Sequence, residues 1–141
     1  EGRNSRMDGI QAAVLNTKLP HLETWTEGRR KNAQLYHSLL NENVVKPIER
    51  EGFRHVFHLY VIQHEDRDGL MAKLKEVQID TAVHYPVPLP LMPCYTSRFH
   101  HTEADYPVAA RLAKRILSLP MYAELTPEQI AYVAEHVNAN Y

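Results

Sequence analysis

The segment from Tyr85 to Tyr95 constrains the fold more than any other part of this chain, because it carries four prolines within eight residues. Proline has no backbone N–H donor and fixes φ, so the segment is expected to exclude both a helix and a central strand. Its other residues are mostly apolar, which argues against a solvated linker. We therefore predict a stiff loop that packs against a partner surface.

Two helices are predicted at the N-terminal end of the chain. Residues 8–18 are rich in helix formers, and Asn4 or Ser5 is a candidate N-cap. Apolar side chains then recur at helical intervals over residues 21–40. Pro20 suits the first turn of this second helix.

Strand and helix patterns alternate in the middle of the chain. Residues 55–62 are β-branched and aromatic on both alternating faces, which predicts a strand covered on both sides. Asp66 can cap a third helix over residues 67–77, which carries one apolar stripe. A short second strand is predicted at residues 79–84.

The last part of the chain has a clear helix signal. A helix is expected from Pro107 to about Arg115, followed by a short strand. Thr126 and Gln129 then form a capping box for a closing helix over residues 127–138. The order of elements predicts one α+β domain over residues 1–141, with helices packed on a small, mostly antiparallel sheet.

Composition excludes several function classes. The formal net charge is −1, so nothing favours binding to nucleic acid or to an anionic membrane. No apolar run approaches the roughly 20 residues that span a bilayer. Cys94 is the only cysteine, which fits a reducing compartment, and we expect a cytoplasmic protein.

The nine histidines raise the question of a metal site. His55 and His58 would point to opposite faces of the predicted strand, and the adjacent His100 and His101 are poor co-ligands. Cys94 is a weak candidate nucleophile, because no basic residue adjoins it in its proline loop. We therefore predict neither a metal site nor a cysteine nucleophile.

Several short motifs occur in one order along nearly the whole chain. They are Asn4-Ser5-Arg6-Met7-Asp8, Arg29-Arg30 with Ala33 and Tyr36, His58-Leu59-Tyr60-Val61, His84-Tyr85-Pro86, and Leu117-Ser118-Leu119-Pro120-Met121-Tyr122 before Thr126-Pro127-Glu128-Gln129. In this order they resemble the C-terminal region of the DegT/DnrJ/StrS family of aminotransferases. The resemblance implies the C-terminal small domain of a fold-type-I transaminase subunit that forms a homodimer.

The same resemblance implies a reaction and a cofactor. Members of the family use pyridoxal phosphate to transfer an amino group, usually from glutamate, to a keto sugar carried on a nucleotide. The Schiff-base lysine and the acidic partner of the cofactor ring belong to a large N-terminal domain, which we expect to be absent from this chain. No lysine here matches the Schiff-base position. The chain alone is therefore expected to bind no cofactor and to catalyse no transamination.

Three residues match supporting positions of the family. Asn4 corresponds to an asparagine that reaches the cofactor phosphate of the neighbouring subunit, although it could simply cap a helix. His84 and Tyr85 correspond to a His-Tyr-Pro element on the substrate side, although a stiff loop with packed rings would need the same residues. No residue is assigned a catalytic role.

The chain also departs from the family pattern. Pro90 and Met92 stand where histidine and glutamine are usual, so polar substrate-side positions have become apolar. Gln78 stands where a glycine is usual at a helix end, which is a convenient place for a left-handed residue. These departures leave open an alternative function, in which the chain is a truncated or degenerate, catalytically silent transaminase domain that acts only in self-association.

Overall fold

The computed structural model describes residues 5–141. Six α helices and one two-stranded sheet lie within this range, in the order α1 (Gly9–Lys18), α2 (Leu22–Leu39), β1 (Tyr60–Gln63), α3 (Arg67–Glu76), α4 (Pro93–Phe99), α5 (Pro107–Ala113), β2 (Ile116–Leu119) and α6 (Pro127–Asn138). Single 3-10 turns occupy Leu19–His21, Leu89–Leu91 and Glu103–Asp105. The α+β class, with helices on a small antiparallel sheet, is confirmed.

The sheet is antiparallel, and Tyr60 of β1 lies opposite Leu119 of β2. Helices α2 and α6 pack on each other, and α3 packs on both α6 and β2. Their shared core is fully buried. Its largest members are Tyr36, Tyr60, Ile62, Leu70, Leu74, Leu117, Ile130 and Val137.

Helix starts follow local side-chain chemistry. Thr126 and Gln129 form the predicted capping box of α6, and Asp66 caps α3 by accepting from the Gly69 N–H. The predicted cap of α1 was wrong, because Asp8 takes that position instead of Ser5. The Asp8 carboxylate accepts from the Gln11 N–H at 2.8 Å, and the Gln11 side chain accepts from the Asp8 N–H in return. Asn4 lies outside the described residues.

The strand predicted over residues 55–62 is much shorter than expected, since only its end belongs to β1. Phe57 has a left-handed backbone, with φ 48°, which interrupts the extended conformation. The carbonyl oxygens of His55, Phe57 and His58 accept from arginine side chains of α2 rather than from a neighbouring strand. These carbonyl oxygens are therefore hydrogen-bonded without pairing to a second strand.

Residues 79–84 do not form the predicted strand either. Ala82 alone forms a bridge, and its N–H and C=O pair with the C=O and N–H of Ser118 at 3.2 and 2.8 Å. Pairing does not continue, because the chain enters the proline-dense segment, where Pro86 has no N–H to donate. Gln78 adopts a left-handed conformation at the end of α3, with φ 61°, as the usual glycine of the family would suggest.

The expectation that the proline-dense segment excludes a helix was also wrong. Helix α4 begins inside it, at Pro93. The first position of a helix needs no N–H donor, and Met92 before it is extended, with ψ 146°, as a residue before proline prefers. Pro90 lies in the preceding 3-10 turn.

Candidate functional site

His84 and Tyr85 lie at the point where the chain leaves the sheet for the proline-dense segment. The peptide bond between them is cis. The imidazole of His84 is half-buried, whereas Tyr85 is 73% exposed, and the two rings meet edge to face at 5.6 Å. The structure thus brings the two predicted substrate-side residues together at an open surface.

The buried side of His84 contacts the sheet. Its Nδ1 lies 2.9 Å from the hydroxyl oxygen of Ser118, which is 4% exposed in β2. Its Nε2 has no hydrogen-bond partner within residues 5–141 and is not enclosed by them. One ring nitrogen is therefore held by the fold and the other is open to a ligand.

An apolar groove adjoins Tyr85, with a cavity volume of about 580 Å³. One wall is formed by the proline-dense segment and the other by α5 and the start of β2. The lining residues are Tyr85, Pro86, Val87, Pro88, Leu89, Met92, Ala109, Leu112, Ala113 and Ile116. Met92, one of the departures noted from sequence, thus contributes an apolar side chain to this groove.

Three side chains of α2 hold the segment that follows β2, and we call Arg29, Asn32 and Tyr36 the α2 clamp. They donate to the carbonyl oxygens of residues 121, 122 and 120 at 2.8, 2.8 and 3.0 Å, respectively. Burial raises the pKa of the Tyr36 hydroxyl well above its ordinary value, so this group remains a donor. The clamp fixes β2, and with it Ser118, relative to α2.

The close packing of the clamp depends on a glycine. At Gly28 a Cβ would lie 3.1 Å from both the Cβ and the carbonyl oxygen of Ala123. The missing side chain allows residue 123 to approach α2. The carbonyl partners of Arg29 and Tyr36 lie 92 and 84 residues away in the chain, so the sequence pattern around these residues does not indicate them.

A second tie on α2 is electrostatic. Arg30 donates to both carboxylate oxygens of Glu49, at 2.9 and 3.1 Å, and to the carbonyl oxygen of His55 at 2.7 Å. The Arg30 guanidinium, together with the His55 N–H, holds the pKa of Glu49 below its usual range. This tie supports the loop that precedes β1.

Three lysines of residues 5–141 have hydrogen-bond or ion-pair partners other than His84 and Tyr85. Lys46 donates to the carbonyl oxygens of His37 and Leu40, while Lys75 and Lys114 pair with Asp80 and Glu103. No lysine within residues 5–141 lines the apolar groove. The groove therefore offers no amine that could form a Schiff base with a cofactor.

The histidines and the cysteine considered for a metal site or a nucleophile lie apart from His84 and Tyr85 in the sequence, and their surroundings are as follows. His55 and His58 precede β1, so the predicted placement on opposite strand faces was wrong; His55 instead stacks on Phe57 with ring centroids 4.2 Å apart. Among residues 5–141, no three His, Cys, Asp or Glu side chains are arranged to hold a metal ion. Cys94 is exposed near the start of α4.

The N-terminal helix presents apolar side chains to solvent. None of the residues of α1 is buried, and Ile10 and Leu19 are 80% and 65% exposed. Trp25 at the start of α2 is half-buried and contacts the His21 ring. Within residues 5–141, every helix is too short or too polar to cross a bilayer.

Comparison with known proteins agrees with the motif order. The sequence profile of the DegT/DnrJ/EryC1/StrS aminotransferase family matches residues 1–138. The chain is 49% identical over 140 residues to a pleiotropic regulatory protein of Geobacillus stearothermophilus, covering 96% of this chain and 37% of that protein. It is 39% identical over 134 residues to a UDP-N-acetyl-3-dehydro-alpha-D-glucosamine 3-aminotransferase of Acidithiobacillus ferrooxidans, covering 94% of this chain and 36% of that enzyme.

A solved structure supports the same assignment. The crystal structure of S. venezuelae DesV in complex with a ketimine intermediate superposes with a TM-score of 0.91 at 36% identity, covering 99% of this chain and 38% of DesV. The chain thus spans little more than a third of the length of these relatives. It matches the C-terminal domain of their family, whose members depend on pyridoxal phosphate. The chain belongs to the DegT/DnrJ/EryC1/StrS aminotransferase family.

Proposed function

We propose that residues 1–141 form a single domain, the C-terminal portion of a pyridoxal-phosphate-dependent aminotransferase that transfers an amino group from glutamate to a nucleotide-linked keto sugar. The observation that carries this proposal is the agreement, over 94% of the chain, with an aminotransferase of a UDP-linked 3-dehydro sugar. The likeness to DesV in complex with a ketimine intermediate supports the same chemistry. Because the chain covers 36–38% of these relatives, the cofactor-binding domain is proposed to lie outside it.

In this proposal His84 and Tyr85 face the substrate. The support is geometric: Tyr85 is 73% exposed, and His84 presents an open ring nitrogen beside it. The neighbouring groove is apolar, so it suits a non-polar part of the substrate rather than its phosphates. Asn4 is proposed to reach the cofactor phosphate of the neighbouring subunit.

The chain alone is proposed to be catalytically silent and to act in a cytoplasmic dimer. A helix of ten residues is marginal in isolation, so α1 needs a covering surface for its apolar side chains. A second copy or the large domain would supply that surface. A specific pairing would bury on the order of 1,200 Å² or more in total.

Sedimentation of the chain at micromolar concentration tests the pairing. We expect a dimer, and we expect Trp25→Asp to shift it toward monomer while α6 keeps its helical signal. A wild-type chain that stays monomeric on concentration would contradict self-association. Collapse of the whole fold in the variant would place Trp25 in the core and the interface elsewhere.

A chimera tests the proposed reaction. In DesV, the region that matches this chain is replaced by residues 1–141, and amino transfer from glutamate to a nucleotide-linked keto sugar is measured. We expect the chimera to catalyse more amino transfer than the truncated DesV portion alone. Tyr85→Phe and His84→Ala in the chimera should reduce it, because both residues face the substrate. Tyr132→Phe, at a side chain of α6 that is 46% exposed, is the matched control and should not.

Two further outcomes separate the alternatives. A folded, dimeric chimera without activity would favour the silent self-associating domain. Borohydride treatment of the isolated chain with pyridoxal phosphate is expected to label surface amines at random. Stoichiometric labelling of one lysine would overturn the proposed silence of the isolated chain.

A further inference from the structure

The direction of the hydrogen bond between Ser118 and His84 depends on the tautomer of the His84 ring. The Ser118 hydroxyl has a single hydrogen-bond partner within residues 5–141, which is Nδ1 of His84 at 2.9 Å. Both backbone polar groups of Ser118 are already engaged, because its N–H and C=O pair with Ala82. The hydroxyl is buried, and its hydrogen has one acceptor available to it.

This arrangement selects one tautomer of the neutral imidazole. If Nδ1 carries no proton, it accepts from the Ser118 O–H and both groups are satisfied. If Nδ1 carried the proton, the hydroxyl hydrogen of Ser118 would be left without an acceptor in a buried position, which is unfavourable. The proton of the neutral ring is therefore expected on Nε2.

We infer that Ser118 is a positioning residue that fixes His84 as a hydrogen-bond donor through Nε2, aimed at an acceptor oxygen of the substrate. The inference rests on the proposed substrate-side role of His84 for its function, but the tautomer itself does not. An N–H at this position can donate a hydrogen bond to a carbonyl, hydroxyl or phosphate oxygen. It cannot form one with a ligand group that is only a donor.

The position of Ser118 also makes the device rigid. Ser118 lies between strand β1 and the bridge residue Ala82: it is opposite Val61 in the sheet and paired with Ala82 on its other side. The α2 clamp holds the residues that directly follow β2. The imidazole is therefore oriented from a residue that is paired on both sides rather than from the proline-dense segment.

Long-range ¹H–¹⁵N NMR of the labelled chain tests this inference without cofactor or substrate. Spectra are recorded at a pH where the imidazoles are neutral, and the His84 signals are assigned by their loss in His84→Gln. We expect Nδ1 of His84 at the shift of an unprotonated nitrogen and Nε2 at that of a protonated one. In Ser118→Ala both shifts should move toward a mixture of tautomers, and Ser118→Thr should restore them.

Ser38→Ala is the matched control, because the Ser38 hydroxyl donates to a helical carbonyl oxygen on an exposed surface, and it should leave the His84 shifts unchanged. A protonated Nδ1 in the wild-type chain, or unchanged His84 shifts in a folded Ser118→Ala, would overturn the inference. Should Ser118→Ala fail to fold, the wild-type and Ser118→Thr spectra decide. Loss of activity in the chimera with an intact Nε2–H tautomer would reject the transaminase proposal alone.

Discussion

Two regions of this molecule differ in how far their apolar side chains are buried. In the clamped region, formed by the second half of α2, the sheet and α6, large side chains such as Tyr36, Leu117 and Ile130 are fully buried. In the N-terminal arm, formed by α1 and the turn that follows it, Ile10, Leu15 and Leu19 remain more than half exposed.

The difference separates the part of the sequence that forms the buried core from a part whose apolar side chains stay exposed within residues 5–141. The clamped region needs no further cover, because its helices and sheet bury one another's apolar side chains and the α2 clamp donates to the carbonyl oxygens that follow β2. The N-terminal arm has good helix formers and a capping box but no covered face, and propensity alone gives little stability to so short a helix. The first region should therefore determine unfolding, and the second should determine association.

The largest expected effect comes from removing a buried side chain. Ile130→Ala should lower the free energy of unfolding by about 2–5 kcal/mol, since Ile130 is fully buried in α6. Ile10→Ala removes the same atoms from α1 and should change it by less than about 0.5 kcal/mol under monomeric conditions. Denaturant unfolding measures both. Equal losses would mean that α1 belongs to the folded core.

A smaller effect is expected from opening the α2 clamp. Arg29→Met should cost about 2–3 kcal/mol, because three backbone carbonyls lose a charged donor. Arg54→Met is the matched control: Arg54 is an exposed arginine that pairs with Glu23 and Glu27, and its loss should lower the free energy of unfolding by much less. Chemical denaturation of the two variants ranks them. A clamp variant no weaker than the control would show that carbonyl pairing does not hold the region together.

Substitutions that act through the backbone should change the free energy of unfolding by less, and they test the same difference between the two regions. Gln78→Gly should raise the free energy of unfolding by about 0.5–1 kcal/mol, because Gln78 is left-handed at the end of α3. Gly9→Ala should improve the start of α1, where a Cβ meets nothing within 4 Å, without a measurable change in global unfolding. Thermal melts at low protein concentration compare them. Stabilisation by Gly9→Ala alone would reverse the assignment of the two regions.

The smallest effect concerns pH and the Arg30–Glu49 tie. The folded-state pKa of Glu49 is lowered from its ordinary 4.5, so its stabilising contribution is complete above that pH and disappears as pH falls through the lowered value. Glu49→Gln should flatten this acid dependence while keeping the rest of the profile. Denaturant midpoints between neutral and acidic pH give the measurement. An unaltered acid slope in the variant would assign the loss to other carboxylates.

Local chemistry could be predicted from sequence where its partners are close in the chain. The capping box at Thr126 and the cap at Asp66 were found in this way, since donor and acceptor lie three residues apart. Residues 55–58 were assigned to a strand because nothing nearby shows that arginines some 25–29 residues earlier occupy their carbonyl oxygens. A left-handed Phe57 was equally invisible in the sequence.

The same limit applies to the candidate site. His84 and Tyr85 were identified because they lie together in a recognisable motif, and the structure places both at an open surface. Ser118, the partner of His84, lies 34 residues away within a motif that reads as an ordinary buried strand. Its hydroxyl acquires a role only when the sheet brings Ala82 and Ser118 side by side.

The α2 clamp also has a consequence for the order in which the growing chain folds on the ribosome. Its donors precede their carbonyl acceptors by 84 to 92 residues, so α2 leaves the exit tunnel long before its partners are made. Until residues 120–122 emerge, the buried face of α2 has no permanent cover, and closing so long a loop is slow compared with forming a helix. During that interval the apolar side of α2 depends on transient contacts, and a chain stalled before Pro120 would stay in that state.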